Sequence, residues 1–303
     1  MSFLRKFSAF LLLVTSFAEA EVLVRGALIL HEVSGKVSIS RMGKEEVNFQ
    51  ANQVPVSMPG LIDCRASNGS YVFFSTSSRS SILFEGDGSF TINRFEQRLP
   101  KLAYWESSQE EVSQSRVIVN FREGQITVDN RYMFDSSQFL AETPLGTVRA
   151  LGGIWQMSIS FDPSSHRFNF HISCIDGLVR FTDFTGRQHS LRNGQRLSGA
   201  GLPTSPSIEV GEIVERTSEK VQFFLELIRV YASSRGDLAA YTPCFQVIEQ
   251  DQLFVNVPAD LDDVDTNDIL DHPIIIDYTS DPPAVTPFRA EVKAPSLSEA
   301  DLF

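Results

Sequence analysis

The strongest constraint on the fold is a pair of segments in which apolar and polar residues alternate strictly. Residues 155–161 (WQMSISF) place every second side chain in an apolar position, and residues 168–174 (FNFHISC) repeat the pattern. A period of two is typical of strands that bury one face. The connector at 162–166 (DPSSH) is rich in turn-forming residues, so the two segments predict a β-hairpin.

Shorter segments of the same kind recur along residues 21–203, separated by glycine-, serine- and asparagine-bearing breaks that favour turns. No helical periodicity lies between them, so they predict an all-β fold, a β-sandwich or β-roll of many short strands. The predicted strands are residues 36–41, 71–74, 81–84, 90–95, 116–121, 125–129, 178–182 and 189–191.

One amphipathic helix is expected after the β-region, over residues 217–235. Apolar residues at helical spacing form a stripe there, and this stripe is expected to pack on the β-domain. Docking of the stripe to a separate partner is the alternative. The stripe comprises Val221, Phe224, Leu225, Ile228 and Ala232.

The first 20 residues have the features of a signal peptide. Arg5 and Lys6 precede an apolar segment at 7–18, and residues 18–20 (AEA) match a small-x-small cleavage pattern. We expect cleavage before Glu21 and a periplasmic or secreted mature chain without a transmembrane segment. An uncleaved anchor is the alternative, although a spanning helix usually needs about 20 apolar residues.

The net charge of −12 is concentrated at the C-terminus. Residues 249–303 contain 13 acidic and 2 basic side chains together with six prolines, which predicts an acidic, largely irregular tail. Residues 21–248 carry a net charge of only −2 and show no basic patch. The sequence therefore argues against nucleic acid as a partner.

The tail contains a weak calcium-loop pattern. Asp263, Asp265, Asn267 and Asp271 occupy positions 1, 3, 5 and 9, the alternate spacing with which tight loops present oxygen ligands. Asp268 stands where such loops place glycine, so a solvated acidic linker is the alternative. No other metal or cofactor is expected.

The sequence contains no recognisable catalytic motif, and we expect a protein that is not an enzyme. Its cysteines are Cys64, Cys174 and Cys244. An oxidising compartment would allow one disulfide, and all three pairings remain open. Burial as small apolar residues is the alternative for at least two of them.

Short motifs over residues 34–200 occur in an order similar to that of FecR domains. Residues 143–149 (TPLGTVR) resemble the family's T-P-x-G…R-G-T motif, although Ala150 and Leu151 depart from it. Proline and glycine there suit a strand-turning role, and the segment at 117–128 resembles a family hairpin around a glycine. The structural residues that the resemblance singles out are Gly35, Gly60, Gly124, Thr143, Pro144, Gly146, Arg149, Gly177 and Gly194.

The resemblance implies a divergent, secreted FecR-like protein of a Gram-negative cell envelope. Its expected parts are a signal peptide at 1–20, a β-domain at 21–203, a helical extension at 204–248 and the acidic tail at 249–303. The implied function is a non-enzymatic module that recognises an envelope protein or a glycan. One alternative is a periplasmic component of a receptor-to-sigma-factor relay. The other is a β-scaffold enzyme acting on polysaccharide, which needs paired carboxylates.

Overall fold

The computed structural model describes residues 22–41, 44, 46–100, 104–105, 110–202, 205–213 and 215–248. The predicted signal peptide, calcium pattern and acidic tail lie outside these residues. The strands are β1 (Leu23–Arg25), β2 (Ala27–Ser34), β3 (Val37–Arg41), β4 (Glu46–Phe49), β5 (Val56–Pro59), β6 (Ile62–Ala66), β7 (Tyr71–Thr76), β8 (Ser81–Arg98), β9 (Ser115–Asp129), β10 (Gln138–Thr143), β11 (Gly146–Asp162), β12 (Arg167–Asp183), β13 (Gln188–Arg192), β14 (Gln195–Leu202), β15 (Ser205–Glu212) and β16 (Gln246–Val247). The α-helices are α1 (Glu215–Val230), α2 (Ala232–Gly236) and α3 (Leu238–Tyr241), and short 3₁₀ turns cover Ala51–Gln53 and Thr242–Cys244.

The all-β prediction is confirmed, and so is the hairpin that carries the alternating pattern. Strands β11 and β12 pair antiparallel, with Trp155 opposite Cys174 and Phe161 opposite Phe168. All strands belong to one hydrogen-bonded network, whose main path runs β15-β14-β12-β11-β10-β9-β8-β6-β3-β4. Within that path β9 and β10 are parallel, and the other pairs are antiparallel.

Several predicted short strands are halves of long, bent strands. Residues 81–84 and 90–95 both belong to β8, and residues 116–121 and 125–129 both belong to β9. The predicted hairpin around Gly124 is wrong, because β9 continues through this residue with a φ of 106°. Strands β8 and β9 pair along both halves, with register shifts between them. A bulge bends a strand without reversing it, so each half acquires different neighbours.

The core lies inside the bent sheet and is rich in aromatic rings. Phe84 packs edge-to-face against Phe90 and Phe121, with ring centroids 5.0 and 6.3 Å apart. Phe139 and Trp155 make a similar contact at 5.9 Å. These side chains are at most 1% exposed. Phenylalanine side chains thus fill much of the largest buried cluster, to which β-strands from β2 to β14 contribute.

Helix α1 packs on the outside of the sheet. Its Val221, Phe224 and Leu227 are buried against Phe73 and Leu83 of the sheet. The expected stripe is displaced at its end, because Leu227 is buried while Ala232 is exposed. Helix α1 ends at Val230, and Ala232 begins the short helix α2. None of the described helices is long and apolar enough to cross a membrane.

The sheet extends past residue 203, where the β-domain was expected to end. Strand β15 pairs with β14 over its whole length, from Ser205 opposite Leu202 to Glu212 opposite Gln195. Strand β16 then returns to pair with β1. Residues 199–202 therefore belong to β14, which pairs with β12 on one side and β15 on the other.

Candidate functional site

A groove of about 770 Å³ opens beside the turn between β10 and β11. Three phenylalanines line it, together with polar side chains of β9 to β11. We call this site the phenylalanine groove. Its aromatic residues are Phe161, Phe168 and Phe184, and its polar residues include Asn120, Arg122, Glu142 and Thr147.

The T-P-L-G turn forms one wall of the phenylalanine groove. Thr143 Oγ1 donates to the carbonyl oxygen of Gly146 at 2.8 Å and accepts the amide N–H of Leu145 at 3.1 Å. Gly146 has a φ of 146°, and a Cβ at this position would collide with the carbonyl oxygen of Thr182. Because glycine has no Cβ, β11 can leave the turn directly against β12.

The phenylalanines of the groove are unusually accessible. Phe161 and Phe168 flank the tip of the β11–β12 hairpin, with ring centroids 5.0 Å apart and planes inclined by 51°. Phe161 is 39% exposed, and Phe184, in the turn after β12, is 61% exposed. Phenylalanine is normally buried, so apolar rings grouped beside polar groups are typical of a binding surface.

Charged side chains accompany the rings. Arg122 and Glu142 both line the groove, and neither forms an ion pair within the part of the chain that the structure describes. Glu123 Oε1 accepts the amide N–H of Phe161 at 3.1 Å, which ties the hairpin tip to β9. The groove therefore combines an apolar floor with uncommitted donors and acceptors.

A second groove, of about 500 Å³, crosses β8, β9 and β11 beside the first turns of α1. We call it the polar groove. Gln125 Nε2 donates to Glu85 Oε2 at 2.8 Å, and Lys220 Nζ donates to Gln125 Oε1 at 2.9 Å. The pKa of Glu85 is raised, because the effect of burial is larger than the opposing effects of the Lys220 charge and the hydrogen bond from Gln125. Asp87 and Glu123 bring two further carboxylates to the same groove.

Apart from the two grooves, a cluster of polar side chains is buried beneath the C-terminal helices. His31 Nε2 lies 2.6 Å from Ser75 Oγ, which in turn lies 2.7 Å from the hydroxyl of Tyr241. Burial, with a smaller effect of the positive charge of Arg235, lowers the pKa of His31 to about 4. All three hydrogen-bonded side chains are at most 1% exposed, so a substrate cannot reach them. The cluster joins α3 to the sheet and is not a candidate site.

The nine residues that the FecR resemblance singles out do not meet at one place. Thr143, Pro144 and Gly146 line the phenylalanine groove, and Arg149 follows on the exposed side of β11. Gly124 lines the polar groove. The remaining four residues line neither groove. Gly35 and Gly194 have positive φ in turns, and Gly177 has positive φ at a β11–β12 bulge. The amide N–H of Gly60 donates to the carbonyl oxygen of Gly26.

The three cysteines are unpaired thiols. Cys64 and Cys174 are buried in the core, and burial raises the pKa of Cys174 to about 11. Cys244 is half-buried. Among the residues that the structure describes, no group of three His, Cys, Asp or Glu side chains is arranged to hold a metal ion. The calcium pattern at Asp263, Asp265, Asn267 and Asp271 lies outside them.

The sequence pattern did not reveal the phenylalanine groove. It placed Phe161 and Phe168 on the buried face of the hairpin, but Phe161 is exposed. The pairing of β11 with β9 ends at Ile159, so among the described residues no strand pairs with Phe161 on the β9 side. Phe184 was not singled out, although an aromatic residue within a turn (DFTG, 183–186) is a detectable anomaly.

Comparison with known proteins places few constraints on the chain. No protein-family model matches it, and neither does any curated protein. Two crystal structures of a candidate anti-sigma factor from Parabacteroides distasonis are similar, at 14% and 13% sequence identity and TM-scores of 0.34 and 0.32. Each match covers 50% of this chain, which spans about 60% of the length of those proteins.

Proposed function

We propose that this protein is a non-enzymatic, extracytoplasmic FecR-like module that binds an envelope protein or a glycan through the phenylalanine groove. The observation that carries the proposal is the exposure of Phe161 and Phe184 beside Arg122 and Glu142. The order of the FecR-like motifs in the sequence supports the family. The T-P-L-G turn that belongs to this resemblance also forms a wall of the groove. Export to the periplasm or cell surface is supported by the signal-peptide pattern of residues 1–20.

The physical reason is the pairing of apolar and polar surface. Covering a phenyl ring removes apolar area from water, at about 25 cal/mol per Å². Sugar rings and aliphatic side chains both present such a face together with hydrogen-bonding groups, which Asn120 and Thr147 can match. The rings are held in position because Glu123 ties the hairpin tip and the T-P-L-G turn closes the opposite wall.

The experiment is a retention assay with envelope extracts and a glycan array, using the mature chain and two single variants. Phe184→Ser removes the most exposed ring of the groove, and Phe134→Ser removes a 52% exposed ring elsewhere. We expect the same ligand to be retained by the wild type and by Phe134→Ser and lost by Phe184→Ser. Retention that is identical in all three proteins would show that the groove is not the binding site.

The enzyme alternative has one observation in its favour, the three carboxylates of the polar groove. Hydrolysis of a glycosidic bond needs one carboxyl group as acid and a second as base or nucleophile. Glu85 is already engaged by Gln125 and Lys220. We therefore expect no release of reducing sugar from envelope polysaccharides; release that Glu85→Gln or Glu123→Gln abolishes would establish the enzyme instead.

The relay alternative depends on the N-terminus. A relay component that responds to a receptor needs a membrane link, which the uncleaved apolar segment at 7–18 would provide. We expect N-terminal sequencing of the exported protein to begin at Glu21. A protein that retains Met1 and fractionates with membranes would favour the relay.

A further inference from the structure

Two arginines face each other across the strands next to the phenylalanine groove. Arg149 of β11 is the direct cross-strand partner of Arg180 of β12. Their chain neighbours Val148 and Val179 are buried, so both arginine side chains leave the sheet on the solvent side. Residues directly opposite in an antiparallel pair have Cα atoms about 4.5–5.5 Å apart, so two positive charges are held close together.

These charges have no acidic partner within the described residues, where neither guanidinium forms an ion pair or a side-chain hydrogen bond. A third arginine, Arg192 of β13, is exposed on the same face and lies opposite Leu178, two residues before Arg180. In the pairing of β10 with β11, Glu142 is opposite Thr147, which lies two residues before Arg149. Asp176, four residues before Arg180 on β12, accepts a hydrogen bond from Asn193. Like charges placed directly opposite destabilise a sheet unless an anion bridges them.

The arginines continue the phenylalanine groove. Thr147 lines the groove, and Arg149 follows it by two residues on the same face of β11, about 7 Å along the strand. Arg122 adds a positive charge inside the groove itself. A ligand seated on Phe184 and extending along the sheet would therefore meet Arg122 and then the pair Arg149–Arg180.

We propose that the groove and the arginine pair together bind a carboxylate-bearing glycan, such as a polymer of uronic acid residues. This inference rests on the proposed function and names its ligand class. A guanidinium binds a carboxylate by two parallel hydrogen bonds. A chain with one carboxylate on each sugar supplies repeated negative charges that can pair with Arg149 and Arg180. The apolar faces of the sugar rings pack on Phe161 and Phe184.

A glycan suits the site better than an acidic peptide does. The cross-strand partners Arg149 and Arg180 lie on the solvent side of the sheet, where β10 pairs with β11 and β13 pairs with β12. An extended peptide gains most of its affinity from backbone pairing with a free strand edge. Neither β11 nor β12 offers such an edge at Arg149 and Arg180, and the outer edge of β13 is only five residues long. Glycan binding needs rings and charged side chains on an open face, and both are found here.

The test is affinity electrophoresis and calorimetry with polygalacturonate, fully methyl-esterified polygalacturonate and poly-glutamate. The variants are Arg149→Gln/Arg180→Gln and, as a matched control, Arg229→Gln on the exposed side of α1. We expect the wild type and Arg229→Gln to bind polygalacturonate and to lose affinity as salt is raised. We expect the double variant to bind at least about tenfold more weakly, since each charged hydrogen bond that is lost costs that order of affinity.

A second variant, Arg149→Lys/Arg180→Lys, separates charge from folding. It retains both positive charges, so its affinity for polygalacturonate should lie between those of the wild type and the glutamine variant. We expect all of these proteins to have the same melting temperature, which shows that the substitutions leave the fold intact. Equal binding of the esterified and acidic polymers would overturn the inference and leave the glycan-binding function intact. Tighter binding of poly-glutamate would assign the face to an acidic peptide. Absence of binding to all three polymers would also overturn the inference, while the Phe184→Ser retention assay would still decide the proposed function.

Discussion

The imidazole Nε2 of His31 lies 2.6 Å from the hydroxyl of Ser75, and both side chains are almost completely buried. Burial lowers the pKa of this histidine from 6.5 to about 4. The folded protein therefore keeps His31 neutral at a pH where the unfolded chain already binds the proton.

We predict that the stability contributed by neutral His31 is complete above about pH 6.5 and decreases as the pH falls towards 4. The full shift of the pKa from 6.5 to about 4 corresponds to a loss of about 3 kcal/mol in the free energy of unfolding. Urea unfolding between pH 4.5 and 7.5 measures it, with His31→Gln to remove the titration. His166→Asn, at an exposed turn residue with positive φ, is the matched control and should follow the wild type. A wild type and His31→Gln with parallel pH profiles would contradict the prediction.

Glu111 makes the stability depend on pH in the opposite direction to His31. Burial raises its pKa from 4.5 to about 7, although Oε2 accepts the amide N–H of Phe134 at 2.8 Å and the hydroxyl of Ser137 at 2.6 Å. The unfolded chain loses this proton near pH 4.5, so the contribution of Glu111 to stability weakens as the pH rises from 4.5 through 7.

We predict that Glu111→Gln gains stability relative to the wild type over this interval, by up to about 3 kcal/mol at pH 8. Chemical denaturation of both proteins at pH 5 and pH 8 gives the difference. Glu209→Gln, an exposed carboxylate on β15, should show no such change. A constant difference between Glu111→Gln and the wild type at both pH values would disprove the assignment.

Phe224 is the largest of the fully buried side chains by which α1 packs on the sheet. Phe224 is fully buried and lies 6.1 Å from Phe73, ring centre to ring centre. We predict that Phe224→Ala lowers the free energy of unfolding by about 3–5 kcal/mol because it leaves a cavity at this contact. Val230→Ala, at a 69% exposed position of the same helix, should change it by less than about 0.5 kcal/mol. A small effect of Phe224→Ala would mean that the helix is not packed on the sheet in solution.

The T-P-L-G turn should tolerate no side chain at its last position. Gly146→Ala introduces both a strained φ and a collision with the carbonyl of Thr182, so we predict a loss of more than about 2 kcal/mol. Gly211→Ala is the control, since its Cβ would enter open space and its φ is not left-handed. Thermal unfolding compares the two, and the retention assay reports whether the groove wall survives. Equal melting temperatures for both variants would refute this account of the turn.

Local pattern alone predicted the elements whose geometry is determined by neighbours in sequence. The β11–β12 hairpin and its buried face follow from strict alternation around a turn-forming connector, and the all-β class follows from its repetition. Helix α1 follows from helical spacing of apolar residues. Its buried side is shifted to include Leu227, because the sheet surface beneath it selects which of the apolar residues it contacts.

The behaviour of Gly124 shows where such prediction ends. A glycine with positive φ suits either a reversing turn or a bulge, so the local sequence around residue 124 is compatible with both. The structure contains the bulge, because β8 has its own irregularity opposite, where Gly88 lies against the backbone of Glu123. The choice is made by residues more than 30 positions away.

The sequence by itself determined the fold class, the presence of the β11–β12 hairpin, the position of the helix and the concentration of negative charge beyond residue 248. Each of these depends on interactions between residues close in the chain or on composition alone. Tertiary structure decided that Phe161, Phe168 and Phe184 meet in one groove and that Arg149 faces Arg180. Cross-strand neighbours are set by the bends and bulges of long strands, and a shift of one residue would turn each side chain to the other face of the sheet.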